Sequence, residues 1–357
     1  MNAVVWHGRR DLRLEIVAEP DDPGPGEALV AVAHCGICGT DLHEYTDGPV
    51  MIRPGTHPLT GTSPPIVLGH EFSGTVFALG PGAQDSGAPE VGERVTVDPC
   101  WSCGSCFWCL RGDYHICRTG GSVGLASHGA LAPIVRVPAV GLIRLPDSVD
   151  DRVGALVEPL AVGLHAVRRG GVQSGDRVLI RGFGPVGAAV LLAAVAVGVA
   201  EVFVIEPGSS RRELALAMGA TDVFDPTETN ASRDVYRRTD RVGPDIVFDC
   251  TGVPQLLPEA IDSARRGGRI VSLGVGHGQA TVTPGRLALL EREVIGSLGY
   301  NRDHQRVIEL LTSERLDPSL LITGRVPLLD AVSGGFDALL ADDGEHLKML
   351  IDVSGGP

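Results

Sequence analysis

A strand, a glycine turn and an apolar helix follow one another over residues 177–197, and this succession limits the fold more than any other stretch of the chain. Arg177-Val178-Leu179-Ile180 reads as a strand and Gly182-x-Gly184-x-x-Gly187 as a turn, and a helix rich in alanine and valine runs on through Val197. The glycine pattern alone is weak evidence; set between a strand and a helix it is specific. The glycines permit a tight turn, let the backbone approach a pyrophosphate and let helix pack on strand. Free N–H groups at the helix start favour the phosphate charge. Glu206 closes the next strand, 24 residues after Gly182, where a carboxylate can accept hydrogen bonds from an adenosine ribose and repel a 2′-phosphate. That favours NAD over NADP, although Arg211 and Arg212 are both placed to meet a phosphate.

Downstream the same rhythm continues. Strands are expected at 201–205, 245–250 and 269–273, with helical stretches between them, one of them over 209–218. Alternation of this kind gives a parallel, doubly wound sheet. Upstream the texture differs. Ala28-Leu29-Val30-Ala31-Val32-Ala33, Ser73-Gly74-Thr75-Val76-Phe77-Ala78 and Arg94-Val95-Thr96-Val97 read as strands separated by turn clusters such as Pro23-Gly24-Pro25-Gly26. Residues 49–65 hold five prolines and no periodicity, which reads as a long surface loop. The first 150 residues are therefore expected to form a β barrel or sandwich. The tail after about Ile295 leaves the α/β rhythm and is expected to return to that first unit.

The uncharged stretch 182–200 is long enough to raise the question of a membrane span. Its four glycines and Pro185 favour a strand, turn and buried helix instead. A net charge of -14 argues against a phosphate backbone or an anionic membrane as partner. Only 4% of residues are aromatic, which leaves little for stacking on bases. Residues 1–18 carry five charges and no apolar run, so no secretory signal is expected there and a cytoplasmic protein is. Lys348 is the sole lysine among 30 basic residues, which reads as compositional bias.

Eight cysteines in such a chain favour metal or catalytic use over disulfides. Cys103, Cys106, Cys109 and Cys117 form C-x2-C-x2-C-x7-C, a spacing that can close a tetrahedron of thiolates around one zinc ion. A closed four-sulfur site has no open position for substrate, so its role is structural. Cys100 competes as a ligand, but the run from Cys103 fits better. Cys35 and Cys250 read as small core residues. A second set is looser: Cys38, then His70 and Glu71 in Gly69-His70-Glu71, then Glu158 in an apolar surround. Cysteine, histidine and glutamate are a plausible zinc set, and three protein ligands leave a position for water or substrate. A buried Glu158 needs a partner, and a metal ion would be one.

These pieces together resemble the zinc-dependent medium-chain alcohol dehydrogenases over nearly the whole chain. The matching segments are Cys38-Gly39-Thr40-Asp41-Leu42-His43, Gly69-His70-Glu71, the four-cysteine lobe, Glu158-Pro159-Leu160, the glycine loop and Gly267-Gly268-Arg269-Ile270-Val271. Among the branches the chain is most similar to the 2,3-butanediol dehydrogenases, near sorbitol and threonine dehydrogenases. Leu42-His43-Glu44-Tyr45, His57-Pro58-Leu59-Thr60-Gly61, Gly296-Ser297-Leu298-Gly299-Tyr300 and Gly344-Glu345-His346-Leu347-Lys348 carry that likeness. The segment His128-Gly129-Ala130-Leu131-Ala132-Pro133 departs from the branch, and so does the bulky Phe183 inside the glycine loop.

The resemblance implies a GroES-like zinc-binding catalytic domain (1–157 and 295–357) and a Rossmann NAD-binding domain (158–294). It implies an oxidoreductase that converts a secondary alcohol, such as a vicinal diol, to its ketone with NAD. One catalytic and one structural zinc are implied, as is a homodimer or homotetramer. Carried over by position, Cys38 and His70 bind the catalytic zinc, with Glu71 and Glu158 as the remaining ligand candidates. Thr40 and His43 match the family's proton relay. Val186, Glu206 and Arg211, beside Gly182, Gly184 and Gly187, match cofactor-contacting positions. Leu273, Gly274, Val275, Ser297 and Leu298 match the nicotinamide side.

Overall fold

The computed structural model describes residues 1–276, 278–341 and 346–354. Two sheets organise it. The first is antiparallel except at one edge and runs in the order 142–144, 94–97, 71–79, 27–36, 348–352, 322–327; the strand Ile134–Pro138 also pairs with Glu27–Gly36. The hairpin Asn2–Gly8/Asp11–Ile16 packs on its core with the short strand Ile66–Val67. The second sheet is wholly parallel, in the order 222–224, 201–205, 177–181, 246–249, 269–272, 293–296. In chain order that is 3-2-1-4-5-6, the doubly wound arrangement. Its central strands are buried on both faces, which explains why they read as unbroken apolar runs rather than alternating ones.

Each expected strand forms, with ends moved by a few residues, and 49–65 is irregular as read. The sequence reading missed one long helix, Asp151–Arg169, because Pro159 sits inside it. An interior proline removes one hydrogen bond of the ladder, so sequence rules argue against a helix there. Burial outweighs that loss: thirteen of its nineteen residues are buried. The helix crosses the expected boundary at 157/158 and serves both units. A methyl group at Gly154 would meet Leu145 and Ser73 of the first unit, and one at Gly163 would lie 2.4 Å from the backbone of Ala189 on the glycine-loop helix.

The tail differs from expectation too. The sixth parallel strand is Glu293–Gly296, and Tyr300, Val307, Ile308, Leu316 and Leu321 pack in the second core. Among the described residues of the tail, the strands Ile322–Pro327 and Lys348–Asp352 return to the first sheet. The stretch 297–321 thus follows its apolar helix face rather than the change of rhythm in the sequence. Gly344 and Glu345 of the C-terminal motif lie outside the described residues. Among the described residues no helix is long and apolar enough to cross a membrane.

Candidate active site

Cys38 is the N-cap of the helix Gly39–Asp47, which follows directly on the strand Glu27–Gly36. His70 and Glu71 enter the neighbouring strand, whose Glu71 stands opposite Gly36. Gly69 makes the approach possible. Its φ is +98°, and a methyl group there would lie 2.8 Å from Cys35 Sγ and 2.9 Å from Leu131 N. One ligand atom each from Cys38, His70 and Glu71 lies within 4.8 Å of the others. Asp41, fully buried, ties the set together: Oδ2 accepts from Cys38 N at 3.1 Å while Oδ1 faces His70 Nδ1 at 3.5 Å. A carboxylate behind a histidine is the usual outer support of a metal-binding imidazole. With Nδ1 turned to Asp41, Nε2 is left for the shared point.

Burial and close packing of ionisable groups set the electrostatics of the pocket. Burial pushes the Cys38 thiol up, and Glu71 adds to it. Burial opposes charge on His70, yet Asp41 and Cys38 hold it well above the ordinary imidazole value. Burial raises Glu158 to about 8, against the pull of His70. Several ionisable groups thus share one dry region, and a divalent ion there would favour thiolate, neutral imidazole and carboxylate at once. Glu158 is 5% exposed and stands outside the Cys38–His70–Glu71 group. The Glu71 carboxylate has a partner that sequence reading did not foresee, the ammonium of Lys348 at 2.6 Å. Thr40 Oγ1 lies 3.7 Å from Cys38 Sγ, and His43 is exposed three residues further along the same helix.

The four-cysteine lobe is a separate structure. Sγ–Sγ separations are 3.9 Å for Cys103–Cys109, 3.5 Å for Cys106–Cys109 and 3.9 Å for Cys106–Cys117. A disulfide needs about 2.05 Å. A tetrahedron with zinc–sulfur bonds of about 2.3 Å has edges of about 3.8 Å, so the thiols are spaced for one ion. Cys100 stays out of the group. Backbone N–H groups of Ser105 and Cys106 pull the Cys103 thiol down to about 5, and burial pushes Cys109 up to about 12. Tyr114 anchors the lobe by donating to Asp98 Oδ2 and accepting from Arg302 N at 3.1 Å. Replacing Cys106 by alanine is expected to remove this metal and lower the melting temperature by roughly 5–10 °C. Calorimetry and zinc content check this; full stability with the lobe's zinc gone contradicts a structural role.

The glycine loop sits at the C-terminal end of the parallel sheet, where the strand order reverses. Such a switch point is the usual dinucleotide crevice. Gly184 is the N-cap of the helix Pro185–Val197, and a methyl group on it would meet nothing within 4 Å. A methyl on Gly187 would lie 2.2 Å from Gly182 O, so that glycine serves packing. Val186 lies in the helix's first turn. Glu206, 6% exposed, accepts from Phe183 N at 2.7 Å and Gly208 N at 3.0 Å. The side chain of Phe183 turns into the core and leaves the loop's ligand side clear. Arg212 is committed to Asp225 at 2.8 Å and to Glu206 O. Arg211 Nε is buried without a partner, as is Ser297 Oγ. Leu273, Gly274 and Val275 follow one strand end and Ser297 and Leu298 the next, with Val275 and Leu298 exposed.

Two family models match the chain: an alcohol dehydrogenase GroES-like domain over residues 24–147 and a zinc-binding dehydrogenase over 185–313. The (R,R)-butanediol dehydrogenase of Bacillus subtilis is 35% identical, covering 98% of this chain and 99% of the relative. A probable (R)-acetoin-forming diacetyl reductase of Saccharomyces cerevisiae is also 35% identical, over 98% of this chain and 90% of its own. The crystal structure of 2R,3R-butanediol dehydrogenase from Bacillus subtilis superposes with a TM-score of 0.91 at 34% identity, over 99% of both chains.

Proposed function

Since the chain belongs to the zinc-dependent medium-chain alcohol dehydrogenases, we propose that it oxidises a vicinal diol such as 2,3-butanediol to its acyloin, and reduces it back, with NAD(H). The observation that carries the reading is the convergence of Cys38 and His70 within ligand distance of one another, with buried carboxylates beside them. When bound, zinc supplies a Lewis acid for the substrate oxygen, and NAD supplies the hydride acceptor. Cys38 and His70 hold the metal together with a carboxylate from Glu71 or Glu158. Asp41 fixes the imidazole and the turn that presents Cys38. Thr40 would take up the alcohol proton as its own hydroxyl proton leaves, and His43, exposed on the same helix, would release a proton to water. Imidazole suits that exchange because it gives and takes protons near neutrality.

The lobe cysteines Cys103, Cys106, Cys109 and Cys117 hold a second, structural zinc. The glycine loop seats the pyrophosphate, and Val186 lines it. The Glu206 carboxylate faces the ribose. The fixed position of that carboxylate at the strand end and the engagement of Arg212 by Asp225 favour NAD over NADP. Arg211 is left for the adenosine end, and Leu273 to Val275 with Ser297 and Leu298 for the nicotinamide end. A cytoplasmic homodimer or homotetramer belongs to the same reading.

An NAD-linked screen over (R,R)-, (S,S)- and meso-butanediol, sorbitol, xylitol and threonine tests it, with zinc content measured in parallel and NADP run beside NAD. The expected result is a butanediol isomer preferred over sorbitol and threonine by at least about tenfold in kcat/KM, about 1.4 kcal/mol in the transition state. Preference for sorbitol or threonine moves the substrate class to polyols or 3-hydroxy amino acids. Absence of chelator-sensitive activity on every secondary alcohol refutes the proposal.

A further inference from the structure

The chain carries a net charge of -14, yet one groove on it is lined by five arginines and only two acids. It lies between the helices Ala231–Arg238 and Leu257–Ser263 and encloses about 620 Å³. Both helices pack on the sheet face that bears Leu179, whereas the glycine-loop helix packs on the face of Val178 and Ile180. Arg241, Arg265 and Arg266 stand just before the strands Ile246–Asp249 and Arg269–Ser272, at the end of the sheet away from the dinucleotide crevice. Neither acid is free. Glu259 accepts from Ser232 Oγ at 2.7 Å and pairs with Arg181 at 2.9 Å, and Asp262 pairs with Arg286 and Arg292, each at 3.4 Å. Asp245 engages Arg265 at 2.6 Å. Arg233, Arg241 and Arg266 are exposed and form no ion pair among the described residues. The Arg292 side chain is only 8% exposed. Burial pulls its guanidinium below the ordinary arginine value, and Arg286 and Arg266 add to that against the pull of Asp262. Behind the groove floor Arg181 is 3% exposed; its Nη1 donates to Ser232 Oγ at 3.0 Å and Ser263 Oγ at 3.4 Å, and its Nε is buried without a partner. Cations thus outnumber anions in and behind this groove, and an anion seated there would relieve their repulsion.

We propose that this groove is a ligand site separate from the dinucleotide crevice, and that it takes a nucleoside di- or triphosphate. The unpaired guanidiniums of Arg233, Arg241 and Arg266 bind the phosphates, because the planar fork of arginine matches phosphate oxygens two at a time. Tyr236 and Val242, 45% and 54% exposed, form an apolar wall with Leu290. A base stacks on the tyrosine ring there, since every base has a face that an aromatic side chain can cover. Size argues for a small molecule: 620 Å³ lies inside the span of roughly 300–1,000 Å³ usual for such sites and exceeds what a bare phosphate fills. A nucleic-acid strand would run beyond the groove onto the surface of a strongly acidic chain, which repels its backbone.

The test titrates the full chain in a calorimeter with ATP, pyrophosphate, adenosine and a single-stranded oligonucleotide. NADH is kept saturating, so that no ATP enters the glycine-loop crevice. ATP is expected to bind once per chain without displacing NADH, at least about tenfold more tightly than pyrophosphate or adenosine. The triple variant Arg233→Gln/Arg241→Gln/Arg266→Gln changes exposed positions alone. It should weaken ATP by about 10–100-fold while the melting temperature stays within about 2 °C and NADH affinity within about twofold of the parent. Tyr236→Ala should weaken ATP by about fivefold or more and leave pyrophosphate as it was. Absence of ATP binding at millimolar concentration overturns the proposal, and so does ATP affinity that the triple variant leaves unchanged. Pyrophosphate that binds as tightly as ATP overturns the assignment of a nucleoside. An oligonucleotide that binds more tightly than ATP overturns the small-molecule assignment. A triple variant whose oligomeric state differs from the parent's in sizing chromatography also overturns it, because a second copy would then cover the groove.

Discussion

Replacing Cys38 by alanine is expected to abolish alcohol oxidation while NADH binds as in the parent. The thiol is one of the groups that converge at the site, and it caps the helix that carries Thr40 and His43. Without it His70 and a carboxylate remain, and two ligands do not hold zinc against water and chelators. Loss of the metal removes several kcal/mol of stabilisation of the developing charge, which corresponds to a rate loss on the order of 10³-fold or more. The glycine loop is untouched, because it belongs to the other sheet. Zinc content should fall to the lobe's share alone. Turnover, NADH fluorescence titration and metal analysis on one preparation separate the effects. Turnover equal to the parent's removes the metal-centred reading.

Replacing Gly184 by valine should do the converse, leaving fold and zinc intact and removing the dinucleotide. Gly184 has φ -81° and ψ -172°, an extended conformation that a β-branched residue adopts readily. A methyl group on it meets no protein atom within 4 Å, so the folded chain has room for the side chain. That open space lies at the start of the helix Pro185–Val197, where free N–H groups point and where a pyrophosphate would lie. The added isopropyl group occupies the approach. An increase in Kd for NADH of about 100-fold, or about 2.7 kcal/mol, is expected with the melting temperature within about 2 °C of the parent. Titration and calorimetry check it; parent-like NADH affinity in the valine variant would place the pyrophosphate elsewhere. Gly187→Ala is the contrasting case. Its methyl would collide with Gly182 O at 2.2 Å, so stability falls as well as affinity.

Local pattern carried the features whose physics is local. The glycine loop is legible because strand, turn and helix are adjacent in sequence and each glycine answers one steric demand. The lobe is legible because four thiols within fifteen residues (Cys103 to Cys117) have few other uses at that spacing. The helix Asp151–Arg169 was not legible, since Pro159 is a breaker by every local rule and only packing on both units outweighs it. The placement of 297–321 was missed for a related reason: a helix after the last strand gives no sign of which core receives its apolar face. Arg211 and Arg212 looked equivalent on paper, and Asp225 distinguishes them by engaging one.

From sequence alone came the four-cysteine run, the Cys38–His70–Glu71 set, the glycine loop, the parallel sheet and the family likeness, because all of these rest on residue type and spacing. Tertiary structure alone decided what stands behind the ligands. Asp41 beside His70, and Lys348 on Glu71 across 277 residues of chain, are contacts made by strands and turns that meet only when the sheets form. Charge and burial act through space, so a buried ammonium that looked like compositional bias in one dimension is the partner of Glu71, beside Cys38 and His70, in three.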